Sequence, residues 1–371
     1  MRVLIAGHWL DEIGGVQTYE RDLASWLLAG GHSPVIFSGI VGKAANELHR
    51  RSIPITDDLR TITTPIDVIH GDNAVETMVA LLHFSSTPAL FVCHSWGGLP
   101  RATPHFPRIL RYVAVDDTCA DRLLLREGIA PEKVSVILNA VDVETFHQRG
   151  PLPAKPRRAI VFGNEAHELT FLPVIREACR RASIEMDVVS GKAGTAVSDP
   201  QSILGRYDLA FAKAKCAIEA MACGLAVVLC DAAGVGGMVR AGDVDRLRRL
   251  NFGIRSLQKP LTADVILAEL ALYDPDDARA VSNRIRETAS SDRLHQSLFS
   301  LYEAVVEEHA GSGQDRVAES QATAAFLQRL AVQEYQQASD VWTLSKAAQR
   351  MFQIPGVGPL ARRAIRRLAR R

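Results

Sequence analysis

The chain has 371 residues, of which 47% are hydrophobic and 23% charged, with a formal net charge of +1. Single cores rarely grow past roughly 250–300 residues, so two domains and an extension are expected, and the ordinary globular composition excludes overall disorder. A net charge this near zero excludes a whole-molecule electrostatic argument for nucleic acid or membrane, so any such signal must be local.

Short apolar runs alternate with amphipathic stretches from the first residue. Arg2–Ala6 reads as a buried strand, followed by a glycine-containing loop and a helix from Val16 to Ala29. Ser33–Ser38 and Asp67–His70 are further strands, the second followed by a helix through Met78–Phe84. Ala89–His94, Arg111–Val115 and Val134–Leu138 complete the first series, with a helix over Cys119–Glu127. Such alternation predicts a parallel, doubly wound sheet. Gly150-Pro-Leu-Pro-Ala-Lys-Pro156 interrupts it, and three prolines in seven residues predict a linker. A second series follows at once: strands at Ala159–Phe162, Glu185–Val189, Tyr207–Ala212 and Leu225–Cys230, with helices at Leu172–Ser183 and Cys216–Ala222. The chain then reads as mainly helical through Asp264–Leu272, Asp276–Ser290 and Asp292–Glu308. Gly311-Ser-Gly313 marks a break before a Gln- and Ala-rich helix over Ala318–Ala338. The expected domains are therefore residues 1–150, 157–310 and a helical, basic extension over 311–371.

None of the six cysteines forms a C-x-x-C pair, and no nearby histidine completes a metal site, so no metal ligands are assigned. A disulfide framework does not suit a chain of this size, which points to a reducing, cytoplasmic compartment. Met1-Arg-Val-Leu-Ile-Ala-Gly7 reads as a strand rather than a signal peptide. No run reaches the roughly 18–20 apolar residues of a membrane span. The last thirteen residues, Pro359–Arg371, carry six arginines against a face of Leu360, Ala361, Ala364, Ile365 and Leu368. That is the pattern of a basic amphipathic helix lying on an anionic membrane, or of a helix packed on the protein body. Cations clustered at one end do not suggest a nucleic-acid partner.

Several segments carry candidate chemistry. Gly14-Gly15 lies between the first strand and first helix, where glycine admits a close ligand and a helix N-terminus favours anions. A tight turn is the competing explanation. His94, and less clearly His70, stand at carboxyl ends of strands, where ligands bind in open α/β sheets. A histidine there can donate a hydrogen bond to a substrate hydroxyl or phosphate. Asn139 and Asp142 lie just after the sixth strand and serve a site or a local turn. Phe211-Ala-Lys213-Ala-Lys215-Cys-Ala-Ile-Glu219 reads strand, loop, helix. Glu219 among Ile218, Ala220, Met221 and Ala222 is costly unless it has a partner, and two ribose hydroxyls would provide one. Lys213 and Lys215 would face a diphosphate together with the helix dipole. Gly234 and Gly236, in Asp231-Ala-Ala-Gly-Val-Gly-Gly237, read as a loop offering backbone donors or as a flexible linker.

Glu219-Ala-Met-Ala-Cys-Gly-Leu-Ala-Val-Val228 closely resembles the "EAMACGLPVV" segment of family 4 glycosyltransferases. Val136-Ile-Leu-Asn-Ala-Val-Asp142 with Phe146 resembles their "VIPNGVD…F", Gly14–Glu20 their first glycine-rich loop, and the strand ending at His94 their "T-x-H" strand. The resemblance spans about 300 residues and implies a GT-B fold: two Rossmann-like α/β domains facing across a cleft, acceptor side first and donor side second, plus the helical C-terminal extension. It implies a metal-independent, retaining transfer without a cofactor, from a nucleoside-diphosphate sugar to a glycan or lipid-linked acceptor. Glu219 then holds the donor ribose and His94 is the catalytic candidate near the sugar. Gly14, Gly15, Gly163, Asn164, Lys213 and Lys215 lie on the donor side, and Asn139, Gly234 and Gly236 are further substrate contacts. The chain departs from the family pattern in two places. Phe211 occupies the position of the first Glu of E-x7-E, and Gly163-Asn-Glu-Ala-His-Glu168 replaces an expected Arg and Lys pair. Lys213 and Lys215 are expected to substitute as diphosphate ligands; without that, a catalytically impaired nucleotide-binding or scaffold protein is the alternative.

Overall fold

A computed structural model describes residues 1–11, 14–97, 103–197 and 199–353. The basic segment 359–371 lies outside the described residues. Residues 1–97 and 108–314 form one compact unit, and residues 103–107 with 315–353 belong to a second.

The first sheet holds seven strands: β1 (Arg2–Ala6), β2 (Ser33–Phe37), β3 (Ile55–Thr56), β4 (Val68–Gly71), β5 (Ala89–Cys93), β6 (Ile109–Ala114) and β7 (Val134–Val136). All pair in parallel, in the order β3-β2-β1-β4-β5-β6-β7. Val3, Leu4, Ile5 and Ala6 are wholly buried, as a central parallel strand covered on both faces requires. Helix α1 (Gly15–Ala29) buries Tyr19, Leu23, Ala24 and Leu27, one helical stripe. Helix α2 (Ala45–Arg50) follows β2. Helix α3 (Ala74–His83) follows β4 and is capped by Asn73, whose side chain accepts from Val75 N–H at 3.3 Å. A Cβ at Gly71 would lie 2.4 Å from Thr77 Oγ1, so only glycine lets α3 pack this closely on β4. The short helix α4 (Asp117–Asp121) follows β6.

Residues 151–157 hold no helix or strand, but they do not separate the two halves: Val141 and Phe146 already pack in the core of the second sheet, and Leu152 packs against its other face. The second sheet holds β8 (Arg158–Phe162), β9 (Glu185–Val189), β10 (Leu209–Ala212), β11 (Ala226–Asp231) and β12 (Gly234–Met238), in the order β12-β11-β10-β8-β9. Its helices are α5 (Leu172–Arg181), α6 (Gln201–Leu204), α7 (Ala214–Ala222), α8 (Val244–Arg249), α9 (Ala263–Leu270) and α10 (Pro275–Thr288).

β12 corrects the sequence reading at Gly234 and Gly236. These residues form a strand that pairs antiparallel with β11, with a register shift between Leu229 and Cys230, rather than a loop open to ligand. Their lack of side chains is a packing requirement. A Cβ at Gly236 would lie 2.8 Å from Ser256 O and 2.9 Å from Leu229 Cβ, and one at Gly234 would lie 2.7 Å from Lys259 O.

Helix α11 (Ser291–Ala310) returns to the first sheet and packs against α1, β4, β5 and β6. Arg111 pairs with Glu308 at 2.7 Å, and Tyr302 is fully buried. A division at residue 310 therefore follows the chain but not its packing. In the second unit, helix α12 (Arg316–Gln353) runs beyond the expected Ala338. Asp315 caps it, accepting from Val317 and Ala318 N–H at 3.1 and 2.9 Å. No described helix is long and apolar enough to cross a membrane.

Candidate functional site

The carboxyl ends of the two sheets meet around a cleft of about 280 Å³. From the first sheet's side, Gly14, Gly15, Thr18, Arg21 and Asp22 line it, all from the β1–α1 turn and the first turns of α1. Residues 18, 21 and 22 are spaced i, i+3, i+4, so they share the helix face that Gly14-Gly15 opens. From the other side come Phe162 and Asn164 at the end of β8, Val189 and Ser190 at the end of β9, and Lys215, Cys216 and Glu219 of α7. Ligands in open α/β folds bind at such strand ends.

Glu219 faces this cleft with only 6% of its surface exposed. Burial pushes its carboxyl up to about 7, with Lys215 pulling it down, Asp22 adding to the rise and Arg21 opposing it. A carboxylate so placed is ready to accept donors that a ligand brings, because buried polar groups are costly when unpaired.

The two lysines have different roles. Lys215 lines the cleft and reaches across it to Asp22 at 3.2 Å. Asp22 is itself pushed up by burial but held below the usual carboxylate range by Lys215 and Arg21. Lys213 instead pairs with Asp231 at the end of β11 and does not line the cleft, which corrects its assignment to the donor site. The backbone explains the split. Ala214, between them, takes φ 50°, and its N–H donates to Phe252 O at 3.1 Å, where Phe252 has φ 47°. Left-handed backbone at two non-glycine residues is strain of the kind found at functional sites.

Asn164 lines the cleft, while Gly163 stands just behind it, its N–H bonded to Val189 O at 3.1 Å. Asn139 does not line the cleft; its carbonyl accepts from Arg248 at 3.5 Å. Asp142 does line it, but its carboxylate is occupied by Glu144 and Thr145 N–H at 3.0 and 3.1 Å, the local turn that was the alternative. Phe211, where an acid would complete E-x7-E, is fully buried among Val161, Val228 and Ile266.

His94 lies outside the cleft lining, in a buried group at the ends of β4 and β5. Its Nε2 is 2.8 Å from Asp72 Oδ1. The same oxygen is 3.3 Å from His70 Nε2, and His70 Nδ1 is 2.7 Å from the Tyr302 hydroxyl. Beside this group, at the end of β1, the buried carboxylate of Glu20 accepts from His8 N–H at 2.8 Å; burial pushes it up to about 7 against the pull of His8. Sequence reasoning missed Thr18, Arg21, Asp22 and Ser190 in the cleft and Asp72 beside His94. The i, i+3, i+4 spacing after Gly14-Gly15 was the available signal for the first three. Nothing local marks Asp72 or Ser190.

Residues 13–145 match the model of the family described as Glycosyltransferase Family 4. A curated relative is the phosphatidylinositol N-acetylglucosaminyltransferase GPI3 subunit of Saccharomyces cerevisiae (strain YJM789), 24% identical over 191 residues. That match covers 42% of this chain and 42% of the relative, less than half of either. Among solved structures, a glycosyltransferase from Rickettsia africae ESF-5 superposes with TM-score 0.58 at 13% identity, covering 82% of this chain and 98% of that one. Anabaena Alr3699/HepE in complex with UDP-glucose superposes with TM-score 0.58 at 12% identity, covering 82% of this chain and 100% of that one. At such identities the likeness concerns the fold, which is GT-B. The matched region contributes β2 to β7 and the Gly14-Gly15 turn, and the second sheet's half of the chain supplies Glu219.

Proposed function

We propose that this protein is a family 4 glycosyltransferase that transfers a sugar from a nucleoside-diphosphate sugar to a hydroxyl-bearing acceptor. The observation that carries the reading is Glu219, a charge-bearing group 6% exposed at a cleft between two strand-end faces. Ribose hydroxyls would give its carboxylate the donors it lacks. The diphosphate would lie between the α1 N-terminus at Gly14-Gly15 and the cations Arg21 and Lys215, which line the same cleft. Positive groups there would stabilise the leaving diphosphate as its charge develops. The co-crystallised UDP-glucose of the Anabaena protein makes uridine diphosphate sugars the first donors to try.

The finer reading is a retaining, metal-independent transfer, as the sequence resemblance implies, with no cofactor beyond the co-substrate. The acceptor is a glycan or lipid-linked glycan of the cell envelope, met at the cytoplasmic membrane face. The arginine-rich 359–371 segment supports the membrane part through attraction to anionic lipid. A second reading is favoured by Phe211: with a core residue where an acid is expected, the protein binds nucleotide without turnover.

A thermal-shift screen against nucleoside diphosphates and nucleotide sugars tests the proposal, because a ligand at 100 times its Kd stabilises the native state by about 2.7 kcal/mol. A shift with one nucleotide sugar, lost in Glu219→Ala, is the expected result. No shift with any of them would overturn the cleft assignment, and a shift without sugar transfer would select the second reading.

A further inference from the structure

We infer that Asp72 is a positioning residue that holds His94 in its Nε2–H tautomer, so that the imidazole Nδ1 accepts a hydrogen bond from a substrate hydroxyl. The identity of that hydroxyl rests on the glycosyltransferase reading; the tautomer does not.

Asp72 directly follows β4 and its side chain is wholly buried. Burial pushes its carboxyl up, and His70 and His94 reverse that, holding it well below the usual carboxylate range. An ionised carboxylate only accepts hydrogen bonds. His94 Nε2, 2.8 Å from Asp72 Oδ1, must therefore carry hydrogen. In a neutral imidazole the other nitrogen then bears a lone pair. The opposite tautomer would set two lone pairs 2.8 Å apart in the interior and leave a buried acceptor unpaired, which burial makes costly.

The second histidine is fully committed within the same group. His70 is completely buried, with Nε2 at 3.3 Å from Asp72 Oδ1 and Nδ1 at 2.7 Å from the Tyr302 hydroxyl. Tyr302 comes from α11, the helix that packs back on the first sheet. The Tyr19 ring meets His94 edge-on, 4.9 Å between centroids at 73°, and fixes its plane. Only His94 opens outward: its side chain keeps 13% exposure while His70 and Asp72 keep none. Among the described residues its Nδ1 has no partner. The histidine read from sequence as a donor thus presents an acceptor.

The test is a long-range ¹H–¹⁵N spectrum of the full chain with ¹⁵N-labelled histidine at pH 8, His94 being assigned by its loss in His94→Gln. Protonated Nε2 and unprotonated Nδ1 are expected; protonated Nδ1 overturns the inference without needing any variant at Asp72. In Asp72→Asn the amide can donate to Nε2, so the tautomer should switch to Nδ1–H. With the donor that the screen identifies, kcat should then fall on the order of 100-fold, the scale of a positioned proton-accepting group, with donor KM unchanged. Tyr302→Phe, which leaves Asp72 in place, should retain the native His94 signals. A switched tautomer with full kcat would refute the role toward substrate. The native tautomer in a protein that binds no nucleotide sugar would uphold the Asp72 assignment and remove the glycosyltransferase reading instead.

Discussion

Replacing Glu219 by glutamine should stabilise the protein and damage its site, and the stability gain should depend on pH. Burial raises the folded carboxyl from 4.5 to about 7. The unfolded chain therefore releases this proton more readily than the folded one across that interval. Whatever stability the protonated group contributes is fully present below pH 4.5 and is lost as pH rises through about 7. At about 1.36 kcal/mol per unit, the folded state bears a penalty of about 3 kcal/mol by pH 8. Glu219→Gln keeps the shape and removes the charge. Its stability should match that of the parent near pH 4.5 and exceed it by up to about 3 kcal/mol at pH 8, a melting-temperature gain on the order of 5 °C. Urea unfolding of both proteins at pH 5 and pH 8 measures the difference. Bound ribose would hydrogen-bond the carboxylate and lower its pKa, so nucleotide-sugar affinity of the parent should rise with pH up to about 7 and then level off. In Glu219→Gln affinity should be weaker and indifferent to pH. Equal stability differences at pH 5 and pH 8 would refute the reasoning, because they would mean that Glu219 is not ionising against burial.

Two further substitutions separate the site from its surroundings. Lys215→Ala should weaken nucleoside-diphosphate binding measured by calorimetry, whereas Lys213→Ala should leave binding intact and lower the melting temperature through loss of its Asp231 partner; equal effects on binding would contradict the division at Ala214. Gly236→Ala should destabilise by about 1–3 kcal/mol, since its Cβ meets Ser256 O and Leu229 Cβ below contact distance. Its nucleotide affinity should be unchanged, and a large loss of affinity would return β12 to the site.

The alternation of buried strands and amphipathic helices made both α/β halves legible, because period and burial are local properties of the chain. Gly14-Gly15 and Glu219 stand out locally as well, as a glycine pair before a helix and a lone acid among apolar neighbours, and all three residues line the cleft. What sequence does not hold is which partner each side chain meets. Phe211 stands at an acid's position in the pattern, yet the alternation of β10 turns it into the core. Lys213 and Lys215 look equivalent in sequence, and a left-handed residue between them sends one to Asp231 and the other to the cleft. Gly234 and Gly236 look like a loop, and only antiparallel pairing with β11 makes them a strand, with residues 256–259 packed too closely for a side chain. Asp72, His94 and Tyr302 are brought together by strand order and by α11 returning across the first sheet. Such contacts join residues far apart in the chain. They depend on the register of parallel strands and the docking of whole helices, which only the tertiary structure decides.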